Sequence, residues 1–153
     1  PEIVRATNLV LHRPLPTEVD IDPYLTEAVA AGRRVFVPRV DGERLALARI
    51  TAETSWRRSK LGVLEPLSGE PLARELLERA ETVIVVPGLA FSPAGERLGR
   101  GGGHYDRLLA EIRAAGKVSA IGVAFELQLV AAVASLEHDA RVDRIVTETR
   151  VIG

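Results

Sequence analysis

One segment, a strand followed by a glycine-rich loop and a helix start, constrains the fold more than any other part of the chain. The β-branched run Thr82 to Val86 leads into a loop with four glycines in the five positions 99–103, and an amphipathic pattern begins at His104. Glycine lets the backbone take positive φ and pass close to a ligand, while the free N–H groups of a first helical turn attract anions. A purely structural turn needs one or two glycines. The spacing therefore predicts an anion site, such as a phosphate cradle.

Strand and helix patterns alternate on both sides of this segment. Runs rich in β-branched residues predict strands at 3–11, 34–40, 44–50, 82–86, 119–125 and 144–151. Helical spacing predicts helices at 22–31, 71–80, 104–115 and 126–133, with a loop at 51–64. Asp41-Gly42 is a hairpin signal that joins two neighbouring strands as an antiparallel pair. We therefore expect an α/β fold, a three-layer Rossmann-like sandwich with a mixed, mainly parallel sheet and ligands beyond the carboxyl ends of its strands.

Composition excludes several classes of function. The 153 residues, 46% of them hydrophobic, suit a single domain over 1–153, and the net charge of −1 offers no footprint for nucleic acid. No cysteine is present, so neither a disulfide framework nor a thiolate metal site is expected. No apolar run is long enough for a membrane span and no signal-peptide pattern opens the chain, so we expect a cytoplasmic location. The strong preference for arginine over lysine suggests a thermophilic or GC-rich source.

Two familiar glycine loops do not match. A Walker A loop ends in Gly-Lys-Ser/Thr, whereas this loop ends Gly103-His104-Tyr105. A dinucleotide fingerprint has glycine where His104 stands and follows its strand directly. Both readings are therefore rejected.

The segment closely resembles the 5-formyltetrahydrofolate cyclo-ligase family, also called methenyltetrahydrofolate synthetase. The resemblance is carried by Pro87 to Phe91, Arg97 to Gly99, Gly101 to Gly103 and His104 to Arg107. Weaker similarities follow in order along nearly the whole chain, at Leu15–Asp20, Val37–Gly42, Val63–Pro66, Ala124–Gln128 and His138–Glu148. His104 departs from the family's usual tyrosine and Ser92 from a common aspartate. Members share their fold type with sugar-phosphate isomerases and CoA transferases, and they normally open with basic helical segments that we expect this numbered chain to lack.

The resemblance implies a reaction and its residues. ATP and Mg²⁺ would activate the formyl oxygen of 5-formyltetrahydrofolate by phosphorylation, after which N10 closes the ring and ADP and phosphate are released with 5,10-methenyltetrahydrofolate. Arg97 and Arg100 would stabilise the transferring phosphoryl group as catalytic residues. The implied ATP-binding residues are Arg97, Leu98, Gly99, Arg100, Gly101, Gly102, Gly103, His104 and Tyr105. The implied substrate-binding residues are Glu18, Arg100, Gly101, Gly102, Gly103 and His104. Asp106 and Asp139 are the implied Mg²⁺ ligands.

Structural alternatives exist for several of these residues. Asp106 lies in a first helical turn, where a carboxylate is favourable without any ligand. Glu18 lies in a capping-box spacing and could simply be exposed. Arg97 could pair with Glu96 on the surface, and Asp139 could belong to an ordinary turn with His138.

Two rival functions remain open from the residues. A non-catalytic folate- or nucleotide-binding module could have the same fold without turnover. Sugar-phosphate isomerase or acyl-transfer chemistry would need a base or a carboxylate nucleophile, and no residue can be assigned that role. The oligomeric state is left open.

Overall fold

The computed structural model describes residues 2–134, 136 and 139–153 and places four α-helices and eleven strands there. The helices are α1 (Glu2–Arg5), α2 (Asp22–Ala30), α3 (Arg74–Arg79) and α4 (His104–Ala115), with a short 3₁₀ helix at Glu126–Gln128. The strands are β1 (Asn8–Val10), β2 (Arg34–Asp41), β3 (Arg44–Ile50), β4 (Trp56–Arg58), β5 (Leu64–Pro66), β6 (Thr82–Val86), β7 (Ala90–Phe91), β8 (Arg97–Leu98), β9 (Val118–Val123), β10 (Arg144–Val146) and β11 (Val151–Ile152).

Seven strands form one sheet in the order β11-β10-β9-β6-β1-β2-β3. The five central strands pair in parallel, and the edge strands β3 and β11 pair antiparallel to their neighbours. Strands β4 and β5 form a separate ribbon, as do β7 and β8. The predicted mixed, mainly parallel α/β sheet is confirmed.

Both faces of the sheet are covered, because successive side chains of a strand point to opposite sides. On one face, Val10, Ile84 and Val86 pack with α4 through residues such as Leu109. On the other face, Leu9, Leu11, Val35, Val37, Val83 and Val85 pack with Leu25 and Ala28 of α2. The two cores produce the expected three layers. None of the described helices has the length and apolar character needed to cross a bilayer.

The first predicted strand is partly wrong, since residues 2–5 form α1 and only Asn8–Val10 pair in the sheet. Arg33 explains the difference. Its guanidinium donates to the carbonyl oxygens of Ile3 and Ala6 at 2.8 Å each, which satisfies carbonyls that a short helix leaves open. This contact from a distant residue overrides the β propensity of the run.

The predicted strand at 144–151 is a hairpin. Thr147 donates its N–H to the Arg150 carbonyl at 2.9 Å, and the turn reverses the chain between β10 and β11. The predicted helix at 126–133 is a single 3₁₀ turn, which ends because Leu129 takes an extended conformation and forms a parallel bridge with Phe91. The Val130 N–H then donates to the Phe91 carbonyl at 2.9 Å.

Other boundaries differ less. The predicted loop at 51–64 contains β4, and α3 begins at Arg74, later than the expected start at Pro71. The hairpin turn after β2 consists of Gly42 and Glu43, since Asp41 still pairs with Arg44. The elements Arg44–Ile50, Thr82–Val86 and His104–Ala115 match their predicted bounds.

Candidate active site

A cleft of about 710 Å³ opens beyond the carboxyl ends of β1, β2 and β6. Its floor is formed by residues just past β1 and β6, including His12 and Gly88, and one wall is the glycine loop with the start of α4. The opposite walls come from the β4–β5 ribbon and from the loop before β10. A ligand site at this edge is what a parallel sheet favours, and the predicted placement of the glycine loop there is confirmed.

The glycine loop has the backbone that its sequence predicts. Gly101 and Gly103 take φ of 90° and 63°, in the left-handed region that favours glycine. Gly103 is the N-cap of α4, and no side chain among the described residues caps the helix, so its first-turn N–H groups are open to a ligand. Arg107 ties the loop to the β2–β3 turn by donating to the carbonyl oxygens of Gly102 at 2.8 Å and Glu43 at 2.7 Å.

Glu18 and Arg100 meet across the cleft. One carboxylate oxygen of Glu18 accepts the Leu15 N–H at 2.9 Å, and the other lies 3.5 Å from the Arg100 guanidinium. The Glu18 side chain is only 16% exposed, so the reading of an exposed capping-box residue is wrong. Glu18 does not cap helix α2, whose first N–H, that of Asp22, is instead accepted by Asp20 Oδ1 at 3.0 Å. The structure thus brings together two residues that lie 82 positions apart in sequence.

Arg97 and Asp106 form a buried ion pair at the back of the glycine loop. The Arg97 side chain is 5% exposed, and one terminal nitrogen donates to Asp106 Oδ1 at 2.9 Å. The guanidinium carbon also lies 5.8 Å from the centre of the Tyr105 ring. The alternative partner of Arg97, Glu96, instead accepts from Ser92 and lies near Arg141. Arg97 is therefore held in the cleft wall and not on the surface.

Asp106 and Asp139 lie on the same side of the cleft. Asp106 Oδ1 accepts the Ala140 N–H at 3.1 Å as well as the Arg97 bond, while Asp139 Oδ2 accepts the Leu136 N–H at 2.7 Å. Among residues 2–134, 136 and 139–153, no three histidine, aspartate or glutamate side chains converge as a metal site. Two carboxylates suit Mg²⁺ held largely by phosphates and water, which is its usual mode. The turn partner His138 lies outside the described residues.

Burial changes the ionisation of two cleft residues. Desolvation, aided by the Glu18 carboxylate and opposed by Arg97, raises the pKa of Tyr105 well above its ordinary value, so its hydroxyl stays protonated. Desolvation also lowers the pKa of His12, although Glu18, the Val85 carbonyl and Asp22 oppose this shift. Each group therefore favours its neutral form.

His12 is a cleft residue that the sequence reasoning missed. It is 7% exposed, with Nδ1 3.4 Å from the Val85 carbonyl oxygen and Nε2 3.9 Å from Glu18 Oε2. Its sequence signal is positional, since it follows the buried strand β1 by two residues and must lie at the carboxyl edge of the sheet. A polar residue at that edge is a candidate even without ligand spacing to other histidines.

The predicted ATP and substrate residues share this cleft. Glu18 and every residue from Arg97 to Tyr105 line it, including half-buried His104 and partly exposed Leu98. Their roles toward ligands remain predictions.

Known proteins resemble this chain over most of its length. The model of the 5-formyltetrahydrofolate cyclo-ligase family matches residues 1–148. A 5-formyltetrahydrofolate cyclo-ligase of Escherichia coli K12 is 28% identical, covering 99% of this chain and 83% of the relative. Another from Mycolicibacterium smegmatis is 30% identical, covering 91% of this chain and 72% of the relative. The solved 5,10-methenyltetrahydrofolate synthetase of Aquifex aeolicus superposes with a TM-score of 0.79 at 31% identity, covering 99% of this chain and 74% of that one.

Proposed function

The chain belongs to the 5-formyltetrahydrofolate cyclo-ligase family, a family of ligases, and on that premise we propose that it converts 5-formyltetrahydrofolate to 5,10-methenyltetrahydrofolate with ATP and Mg²⁺. The observation that carries the proposal is the shared cleft. It combines an open helix N-terminus behind a glycine loop with Glu18 opposite, whose carboxylate contacts Arg100 of that loop. One side suits phosphates, and the other suits a polar ring.

A phosphate fits the buried arginine. Arg97 Nε is buried and has no hydrogen-bond partner in the part of the chain that the structure describes, although the two terminal nitrogens donate to Asp106 and to the Pro87 carbonyl. A buried guanidinium N–H without an acceptor is costly, and a phosphate oxygen would satisfy it. Arg97 would therefore hold a phosphoryl oxygen from a position that Asp106 and the Pro87 carbonyl already fix.

Arg100 has the freedom that Arg97 lacks. Its side chain is half exposed and its contact with Glu18 is 3.5 Å long, so it can turn toward a second anion at little cost. When the formyl oxygen takes the terminal phosphoryl group, negative charge builds on the equatorial oxygens, between the open N–H groups of the loop and the Arg100 guanidinium. Preorganised cations and N–H donors stabilise such charge most in a water-excluded site. N10 then forms its bond to the formyl carbon and loses its proton, and phosphate leaves with the former formyl oxygen and can accept that proton.

Asp106 and Asp139 are the residues that would hold Mg²⁺ beside the phosphates. The metal would neutralise phosphate charge and orient the transferring group. Asp106 would serve this role through Oδ2, since Oδ1 already binds Arg97 and the Ala140 N–H.

The proposal is tested by following methenyltetrahydrofolate through its near-ultraviolet absorbance. The purified protein receives 5-formyltetrahydrofolate, ATP and MgCl₂, and each is omitted in turn. We expect product only with all three present. Calorimetric binding of ATP and the folate without product would favour the non-catalytic binding module, while binding of neither would reject both.

Glu18→Gln sharpens this test, with Glu70→Gln as its control. Glu70 also pairs with an arginine, at 3.7 Å from Arg49, but its side chain is 83% exposed. We expect Glu18→Gln to raise the KM for the folate by about tenfold or more, the worth of a charge-assisted hydrogen bond. Glu70→Gln should keep the original KM. Equal effects of the two substitutions would argue against a folate contact at Glu18.

A further inference from the structure

His12 occupies the floor of the cleft beside Glu18. The imidazole is 7% exposed, its Nδ1 lies 3.4 Å from the Val85 carbonyl oxygen, and its Nε2 faces Glu18 Oε2 at 3.9 Å. The Val85 carbonyl can only accept, so Nδ1 carries a proton and donates it there. In the neutral ring Nε2 is then an acceptor. No described side chain or backbone group donates a hydrogen bond to it.

Two acceptors therefore lie side by side at the cleft floor. A neutral Nε2 and the Glu18 carboxylate cannot bond to each other, because neither carries a proton. Glu18 keeps its Leu15 bond and its contact with Arg100, yet its oxygens have further acceptor capacity. A buried acceptor without a donor is costly, so this arrangement calls for a ligand with adjacent N–H groups.

We propose that His12 Nε2 and the Glu18 carboxylate together accept the N–H donors of the 2-amino-4-oxopyrimidine ring of the folate, and that the folate binds when His12 is neutral. This inference rests on the proposed function and adds a specificity-determining residue to it. A ring that carries an amino group next to a ring N–H presents such a donor pair. A ring with acceptors at those positions would face two lone pairs and be rejected.

Protonation of His12 would change the floor. A protonated Nε2–H would donate to Glu18 Oε2, which already accepts the Leu15 N–H, so that neither Nε2 nor Oε2 could accept a hydrogen bond from the ring. Other charged and titratable groups near His12 and Glu18 affect the protonation of the pair. Asp22 acts on His12 from the start of α2 but is itself bound by Arg13 at 2.7 Å. Arg100 approaches Glu18 from the glycine loop. Tyr105, on α4, interacts electrostatically with Glu18, whose charge helps to raise the pKa of Tyr105.

Burial keeps His12 neutral under ordinary conditions. Desolvation lowers its pKa below the usual histidine value, and the carboxylates oppose the shift without reversing it. Folate affinity should therefore be constant at neutral and higher pH, and it should fall as the pH drops through the lowered pKa. Below that pKa the dissociation constant rises by up to about tenfold per pH unit, the limit for one linked proton.

The test measures the dissociation constant of 5-formyltetrahydrofolate by calorimetry between about pH 5 and 8. His12→Asn keeps a side-chain N–H near the Val85 carbonyl but removes Nε2 and the titration. We expect it to bind about tenfold more weakly at neutral pH, the worth of one hydrogen bond, with no fall at low pH. His12→Gln places an amide oxygen near Nε2, and we expect it to restore affinity with a flat profile. kcat at saturating folate should change little, because the effect is on binding.

Several outcomes would overturn the inference. One is a His12→Asn protein whose pH profile is unchanged, and another is a His12→Asn protein whose affinity at neutral pH equals that of the original protein. A third is loss of the pH dependence in His104→Asn instead, since His104 also lines the cleft. Melting curves of each variant across the same pH range separate a folding defect from a binding defect. Failure of the original protein to bind the folate at any pH would reject the proposed function itself, whereas tight binding without pH dependence would reject only the role of His12.

Discussion

Replacing Asp106 by asparagine separates its structural contribution from its proposed role toward Mg²⁺. The carboxylate neutralises Arg97, whose side chain is 5% exposed, and it is itself 19% exposed. Removing one partner of a buried pair costs about 3 to 5 kcal/mol. Asp106 is partly exposed and asparagine retains an acceptor oxygen, and both facts reduce this cost. We therefore expect the free energy of unfolding to fall by about 2 to 3 kcal/mol, or Tm by about 5 to 10 °C for a chain of this length.

Urea and thermal unfolding monitored by circular dichroism measure the loss. Glu78→Gln is the matched control, because Glu78 pairs with Arg74 at the same 2.9 Å but on an exposed helix surface. Glu78→Gln should leave the unfolding midpoint unchanged. Combining Asp106→Asn with Arg97→Met should cost less than the sum of the single changes, by about 1 to 2 kcal/mol, because the double variant leaves no buried unpaired cation.

The magnesium dependence of turnover is a second measurement on the same Asp106→Asn protein. If Asp106 also binds Mg²⁺, the variant needs a higher magnesium concentration for half-maximal turnover while α4 stays folded. A stability loss no larger than that of Glu78→Gln would refute the buried-pair reasoning. An unchanged magnesium requirement would remove Asp106 from the proposed metal site and leave its structural role intact.

Three further substitutions test the cleft and its support. A Cβ at Gly102 would lie 3.2 Å from the His104 ring, so Gly102→Val should weaken ATP binding in calorimetry far more than it lowers Tm, and equal losses would indicate a structural turn. Arg100→Ala should lower kcat by about a hundredfold or more in the absorbance assay with a stability change within about 0.5 kcal/mol, and unchanged kcat would exclude Arg100 from the transfer step. A Cβ at Gly122 would lie 2.5 Å from the buried Phe91 ring, so Gly122→Ala should destabilise by about 1 to 3 kcal/mol in urea, and a neutral result would show that Phe91 can move aside.

The sequence predicts the fold well where local signals agree. Thr82–Val86 is a short, uniformly apolar and β-branched run, and His104–Ala115 has helical spacing between glycines, so both elements match their predicted bounds. The hairpin Ala90–Leu98 has only two residues in each strand, too few to produce a period. The helix at Glu2–Arg5 depends on Arg33, a contact that no local pattern encodes.

The site is predictable in part for the same reason. The glycine loop and α4 are contiguous, so their geometry follows from local sequence and the family resemblance supplies their expected roles. The Glu18–Arg100 contact and the burial of His12 depend on which strand ends are neighbours in the sheet. The order β6-β1-β2 places them together, and that order is set by packing over the whole chain.

A heavy oxygen isotope in the formyl group tests the central claim most directly, because that oxygen should be the acceptor of the phosphoryl group. The protein is incubated with labelled 5-formyltetrahydrofolate, ATP and MgCl₂, and the released phosphate is examined by mass spectrometry. We predict one labelled oxygen in phosphate for each ADP and each methenyltetrahydrofolate formed. Label released into water, or product formed without ADP, would contradict phosphoryl transfer to the formyl oxygen in this cleft.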